Sequence, residues 1–263
     1  MDFFNDIKRG FRTLLADPRW FPKILLAGFL LINPFLLAFA PAYFAYRATG
    51  HGPAWIEPAF YGCLAFNVLS FWFPLGFTFE VLRRARTGSG PQLPDWNWRV
   101  LPRYAREGAV KLFLSIFTLL LPVGLWTLFC HTVFIRLLNL PDGLLMLFIQ
   151  PVFLLVIPFC GIACCRWLDG GGLIPCALNY AENIRLFKMR GGDFLIASVF
   201  LMGLNSVTTA FYYTLPFAAV FGLCLVDTWF GPLYAQMAKP AGAAQGSPVR
   251  GADAHDPLPP SMA

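Results

Sequence analysis

Residues 83–111 read RRARTGSGPQLPDWNWRVLPRYAREGAVK, and this stretch decides how the rest of the chain is arranged. It is the longest polar stretch before the C-terminal tail, and it holds seven of the twenty Lys and Arg residues. Long apolar runs lie on both sides of it. Because Lys and Arg beside membrane spans remain on the cytoplasmic side, the stretch predicts a cytoplasmic loop between two transmembrane helices.

The composition favours a multi-pass membrane protein over a large soluble domain. The 263 residues are 57% hydrophobic and 13% charged, whereas soluble domains are about 25% charged. The net charge of +6 does not indicate a nucleic-acid partner, because the cations lie in short loops between apolar runs. The seven cysteines show no spacing typical of a disulfide framework.

The apolar runs predict an all-α membrane protein with six transmembrane helices. Their expected limits are 22–46, 58–82, 108–135, 144–165, 194–212 and 217–237. The last two are separate spans, because one helix over the 45 residues 194–238 would be about 68 Å long, twice the hydrocarbon thickness. Eighteen Lys and Arg residues fall on one side of this arrangement and two on the other. The split predicts a protein of the cell membrane with cytoplasmic N and C termini.

Three cytoplasmic segments are predicted to form amphipathic helices at the membrane interface, namely residues 3–15, 98–107 and 174–188. For the first, packing on other protein is the alternative. Because each segment precedes an odd-numbered span, the six spans are expected to form three hairpins.

The chain is therefore divided into an N-terminal amphipathic interfacial segment (1–21), a membrane domain (22–238) and a disordered cytoplasmic tail (239–263). Trp20, Trp96 and Trp98 are expected to anchor the protein among lipid head groups, because tryptophan is enriched at that level. For residues 91–98, binding a partner as an extended segment is the alternative.

Three groups of residues resemble signature positions of a prokaryotic membrane protein family. The groups are Phe11 with Asp17-Pro18-Arg19-Trp20 and Lys23; Gly76 through Arg84, then Gly88, Leu93-Pro94-Asp95-Trp96, Trp98 and Gly108; and Gly192-Asp193-Phe194. Up to about residue 239 the chain is thus similar to the family catalogued as domain of unknown function 4013. The resemblance implies a bacterial or archaeal multi-pass membrane protein, and it implies no activity, substrate or catalytic residue.

Three polar side chains are expected at similar depth within the spans, namely Asp227, Asn205 and Asn33. An acid in the middle of a span is unfavourable and by default indicates a functional site. One interpretation is therefore a proton- or cation-responsive site. Two alternatives remain open: a neutral Asp227 that hydrogen-bonds Asn205 or Thr208, and a shifted sixth span that brings Asp227 nearer an interface. No Lys or Arg is expected within the apolar part of a span, so no counter-charge for Asp227 is expected.

The sequence contains no pattern typical of catalysis: no H-E-x-x-H, no phosphate-binding glycine loop with Lys and no serine nucleophile elbow. We therefore predict that the protein is not an enzyme and has no catalytic residues, metal or cofactor. The expected function is to bind or organise a partner protein or a lipid or apolar ligand, with anionic lipids at the cytoplasmic face. The alternative is a small transporter that uses proline-kinked helices and Asp227.

Overall fold

The structure is a computed structural model, and it describes residues 3–88, 93–209 and 214–238. Within these ranges the side chains of residues 3–7, 9, 142, 205–209 and 238 are not described. The described residues form helices and connecting turns and contain no strand, which confirms the all-α class.

The α-helices of the described residues are α1 (Phe3–Leu15), α2 (Trp20–Leu31), α3 (Pro34–Thr49), α4 (Ile56–Ser70), α5 (Trp72–Thr87), α6 (Leu101–Ser115), α7 (Leu121–Cys130), α8 (Leu145–Leu168), α9 (Leu173–Leu178), α10 (Tyr180–Thr209) and α11 (Leu215–Ala238). A π-helical turn, Ile116–Leu120, joins α6 to α7, and a second one, His131–Leu137, follows α7. The region 98–107, predicted as an interfacial helix, thus contains the start of α6, which runs directly into a candidate span.

Five helical stretches of the described residues are long and apolar enough to cross a membrane, namely Trp20–Thr49, Ile56–Thr87, Leu101–Leu137, Leu145–Leu168 and Leu215–Met237. They correspond to the first four expected spans and the last. The backbone of α10 is non-helical at Arg190 (φ −146°, ψ 38°), so two helical parts meet there, and the expected span 194–212 begins in the second part. Residues 210–213 and the tail 239–263 lie outside the described residues. The sixth span, the three hairpins and the disordered tail therefore stay predictions.

The first candidate span consists of two helices, because the backbone is extended at Ile32 and Asn33 and α3 starts anew at Pro34. Side chains of α4 bind the backbone groups released by this break. The Asn33 N–H donates to Asn67 Oδ1 at 2.7 Å, and Ser70 Oγ donates to the Leu30 carbonyl at 2.9 Å. Such partners are needed because lipid tails cannot hydrogen-bond a free backbone group.

The helices α5 and α6 cross at direct backbone contact, which two glycines permit. A Cβ atom on Gly76 would lie 2.0 Å from the Tyr104 carbonyl oxygen, and one on Gly108 would lie 1.9 Å from the Trp72 carbonyl oxygen. Small residues allow this close approach of helices in a membrane. On the other side of α5, α11 approaches so closely that a Cβ on Gly231 would lie 2.8 Å from a backbone nitrogen. α5 is thus the centre of the fold.

The helix α1 packs on α11, as in the alternative considered for the N-terminal segment. Leu14 is 1% exposed, and the ring of Phe11 meets those of Phe200 and Phe221 at 6.2 and 5.8 Å. Protein therefore covers part of the apolar face of α1. Placement of this helix at the membrane interface remains a prediction.

Candidate functional site: a buried ion pair beside an apolar cavity

Lys111 and Asp227 form an ion pair inside the helix bundle. The Lys111 ammonium lies 2.8 Å from Asp227 Oδ2, and both side chains are 8% exposed. Lys111 Nζ also donates to Thr78 Oγ1 at 2.9 Å, and that hydroxyl donates to the Leu75 carbonyl at 3.0 Å. The pair therefore joins α6 to α11, and Thr78 connects it to α5.

The expectation that Asp227 lacks a counter-charge is wrong. Lys111 belongs to the candidate span Leu101–Leu137 and lies ten residues beyond its first residue, about 15 Å along the helix axis. Asp227 lies ten residues before the last residue of the span Leu215–Met237, at the same helical distance from an end. Because α6 continues without a break from Leu101, Lys111 lies inside the bundle and is not a loop cation.

A cavity of about 280 Å³ lies beside this ion pair. Six helical elements contribute to its wall, and its apolar lining includes Leu75, Leu119, Ile157, Leu201, Leu223 and Phe230. The polar groups at the cavity are Lys111, Asp227, Ser115 and the thiols of Cys160 and Cys164. The Ser115 hydroxyl and the Cys160 thiol lie 3.2 Å apart, so they form a hydrogen bond with each other. The cavity is therefore mostly apolar, and its charged groups are the Lys111–Asp227 ion pair.

The three residues predicted to lie at similar depth, Asp227, Asn205 and Asn33, differ in what the structure shows of their partners. Asn33 caps the start of α3 at the break after α2, where its Oδ1 accepts a hydrogen bond from the Phe35 N–H at 3.0 Å. Asn205 falls within α10, but its side chain lies outside the described part of the chain. Asp227 binds Lys111 and is therefore not explained by a hydrogen bond to Asn205 or Thr208 alone.

A second buried cation, Lys23, contacts residues of both segments 17–23 and 93–96. Its ammonium lies 2.7 Å from Asp17 Oδ2 and 2.7 Å from Asp95 Oδ1, and it donates to the Leu93 carbonyl at 3.2 Å. The Trp96 indole donates to the Lys23 carbonyl at 3.2 Å. The hydrogen bond from Lys23 lowers the pKa of the exposed Asp95 carboxyl. The segments 17–23 and 93–96 thus meet in one structural cluster.

The three tryptophans predicted as anchors differ in their surroundings. Trp96 stacks on Phe77 with ring centroids 5.0 Å apart, so it contributes to the packing of α5. Trp20 meets Phe221 edge-on at 6.1 Å. Trp98 is 86% exposed and is free to contact lipid. Anchoring among head groups stays a prediction for all three.

A network of ion pairs joins the ends of α5 and α6. Arg83 lies 2.5 Å from Glu80 and 2.6 Å from Glu107, and Arg103 lies 2.5 and 2.9 Å from the same two carboxylates. Arg84 approaches Glu80 at 3.2 Å. Each glutamate side chain is 8% exposed, so the two carboxylates are shielded from solvent, whereas Arg103 remains 48% exposed. The network reinforces the crossing that the two glycines create.

No family model matches the chain, and comparisons with curated proteins and with solved structures give no match either. The resemblance to the family of domain of unknown function 4013 therefore depends on the sequence positions themselves. Several of these positions make packing or ion-pair contacts in the described structure, namely Asp17, Lys23, Gly76, Asp95, Trp96 and Gly108.

Proposed function

We propose that this protein is a non-catalytic component of the cell membrane that binds an apolar or lipid ligand in the cavity beside Lys111 and Asp227. The cavity is the observation that supports the proposal. Its volume of about 280 Å³ is near the lower end of the roughly 300–1,000 Å³ of small-molecule sites. It suits a short acyl segment whose polar end reaches the ion pair.

The sequence motifs support a binding role over a catalytic one. Asp17 and Asp95 both pair with Lys23, and Gly76 and Gly108 allow two helices to come into contact. The polar groups beside the cavity are likewise bonded to protein, since Lys111 binds Asp227 and Ser115 binds Cys160. A ligand in this chamber would meet apolar walls and a neutral pair of charges.

The test uses a fluorescent fatty acid, cis-parinaric acid, and a substitution that fills the cavity. Leu223 lines the cavity, so Leu223→Phe should reduce binding of the probe at least about tenfold, a loss of about 1.4 kcal/mol. Leu125→Phe is the matched control, because Leu125 is 59% exposed on α7 and does not line the cavity. Fluorescence titration of the purified full chain gives both affinities.

Two results would contradict the proposal. One is an equal affinity of the Leu223→Phe and Leu125→Phe proteins for the probe. The other is mass spectrometry of the purified protein in which filling the cavity leaves the amount of retained fatty acid or lipid unchanged. Thermal melting of both variants separates loss of the site from loss of the fold.

A small transporter is the second candidate, favoured by the broken first span together with the buried pair. A transporter opens its central cavity alternately to the two sides of the membrane. The Cys160 thiol lines the cavity and can report such opening. With the other six cysteines replaced, labelling of Cys160 by an impermeant thiol reagent from both sides would favour the transporter, and labelling from one side only would favour the ligand site.

We further propose that α10 continues into a sixth span, that both termini are cytoplasmic and that the chain is a member of the family of domain of unknown function 4013. The charge split of eighteen to two supports this orientation. Single cysteines at Ser89 and Gly52, in a protein without native cysteines, test it. An impermeant thiol reagent added to intact cells should label position 52 and leave position 89 unlabelled. The reverse pattern would overturn the proposed topology.

A further inference from the structure

A second pocket lies apart from the Lys111 cavity, at the ends of two candidate spans. Its volume is about 490 Å³, and it is lined by Pro102, Arg103, Arg106, Glu107 and Trp167. The first four belong to the start of the span Leu101–Leu137, and Trp167 is next to the last residue of the span Leu145–Leu168. The ends of spans lie at the level of the lipid head groups. A ligand of this pocket is therefore in reach of the bilayer surface.

The pocket offers hydrogen-bond donors with positive charge. Arg106 is exposed, and among the described residues no ion pair or hydrogen bond holds its guanidinium. Arg103 uses Nε for Glu107 and one terminal nitrogen for Glu80, while its side chain remains 48% exposed. Guanidinium groups of this kind match the oxygen atoms of a phosphate.

Glu107, one of the lining residues, has an acceptor that lacks a donor. Glu107 Oε1 accepts from Arg83 and Arg103 at 2.6 and 2.9 Å. Glu107 Oε2 is buried and has no hydrogen-bond partner among the described residues. An unpaired carboxylate oxygen away from water is unfavourable, so a ligand that supplies an N–H group is favoured here.

We propose that this pocket binds the head group of an aminophospholipid, in which a phosphate ester carries a primary ammonium. In this arrangement the phosphate accepts from Arg106 and Arg103, and Trp167 lines the same pocket. The ammonium donates to Glu107 Oε2 once the Glu107 side chain turns that buried oxygen toward the ligand. Phosphatidylcholine has no N–H group for Glu107, and phosphatidylglycerol has no cation. The inference is independent of the ligand proposed for the Lys111 cavity, because no residue lines both pockets.

The experiment is a lipid titration of the delipidated full chain, followed by native mass spectrometry. Phosphatidylethanolamine should bind about tenfold more tightly than phosphatidylcholine or phosphatidylglycerol, since a hydrogen bond to a charged group distinguishes them. Arg106→Gln should weaken binding of phosphatidylethanolamine about tenfold. Arg99→Gln is the matched control, because Arg99 is exposed near the same end of α6 and does not line the pocket.

Glu107→Gln should abolish the preference for phosphatidylethanolamine over phosphatidylcholine. If the Glu107→Gln protein does not fold, the Arg106→Gln protein and the comparison of lipids still test the proposal. Soluble phosphoethanolamine tests whether the free head group binds without its lipid. If it displaces phosphatidylethanolamine, the head group alone is sufficient for binding. If it does not displace the lipid, the ligand is the membrane lipid. Equal binding of phosphatidylethanolamine and phosphatidylcholine, tighter binding of phosphatidylglycerol, or unchanged binding by Arg106→Gln would each overturn the proposal.

Discussion

The Asp227→Asn protein should lose about 3–5 kcal/mol of its free energy of unfolding, because the substitution leaves the Lys111 ammonium buried without a counter-charge. Asn keeps the size and one acceptor oxygen of Asp227, so the loss reports the charge. Lys111→Met should destabilise the protein by a similar amount, since it leaves the Asp227 carboxylate unpaired. Unfolding in detergent, followed by circular dichroism against denaturant, measures both changes.

The double variant Lys111→Met/Asp227→Leu should recover most of the stability that either single substitution removes. Replacing both members of a buried pair by apolar residues is often neutral or even stabilising, whereas removing one member is not. Asp193→Asn is the control, because Asp193 pairs with Arg190 at a site where both side chains are about a quarter exposed. Its loss should stay below about 1 kcal/mol.

Two outcomes would contradict this view of the ion pair. In one, Asp227→Asn is as stable as the unsubstituted protein, which means that Lys111 does not need the charge. In the other, the double variant is as unstable as the sum of the singles, which means that the two residues are not coupled.

The second large effect concerns the crossing of α5 and α6. Gly108→Ala should destabilise the protein by about 3 kcal/mol or more, beyond the usual 1–3 kcal/mol of overpacking. The reason is that the new Cβ would lie 1.9 Å from the carbonyl oxygen of Trp72, a backbone atom that no side-chain rotation can move away. Gly76→Ala should behave alike, because its Cβ would meet the Tyr104 carbonyl at 2.0 Å.

Gly124→Ala provides the control for this prediction. Gly124 lies in α7, within the same candidate span as Gly108, and a Cβ atom there would have no neighbour within 4 Å. The substitution should therefore leave stability unchanged or raise it slightly, since Ala favours a helix over Gly. Equal melting temperatures for the Gly108→Ala and Gly124→Ala proteins would show that α5 and α6 are not held in contact.

Much of the fold was predictable because hydropathy acts over whole segments. Five of the six expected spans correspond to helices that are long and apolar enough to cross a membrane, with limits that differ by several residues. The break in the first span was less visible in the sequence. Six prolines interrupt the expected spans 1–4 beyond their first residues, but α3 contains Pro41 and α8 contains Pro151 and Pro158 without ending there. The break at Pro34 differs because Asn67 and Ser70 on the neighbouring helix hydrogen-bond the backbone groups of Asn33 and Leu30.

The candidate site was only half predictable. Asp227 stood out as an acid in an apolar run, but Lys111 was grouped with the basic loop because a span starting at Gly108 leaves it near the end. Positive charges near a span usually report orientation, and nothing in their pattern tells a loop cation from a buried one. The signal lies in the helix and not in the charges. Residues from Leu101 to Lys111 contain no glycine–proline pair that would stop a helix, so one helix can place Lys111 ten residues inside the span. Which acid Lys111 meets depends on tertiary packing.

The ion pair between Lys111 and Asp227 joins residues 116 positions apart in the chain. During synthesis at ~5–20 residues per second, the ribosome adds Asp227 roughly 6–23 seconds after Lys111. Throughout that interval the nascent chain carries a lysine inside an apolar segment whose only neutralising acid in the described structure has not yet been made. The ion pair therefore forms only after α11 has been synthesised, and a chain released before residue 227 retains Lys111 without this counter-charge.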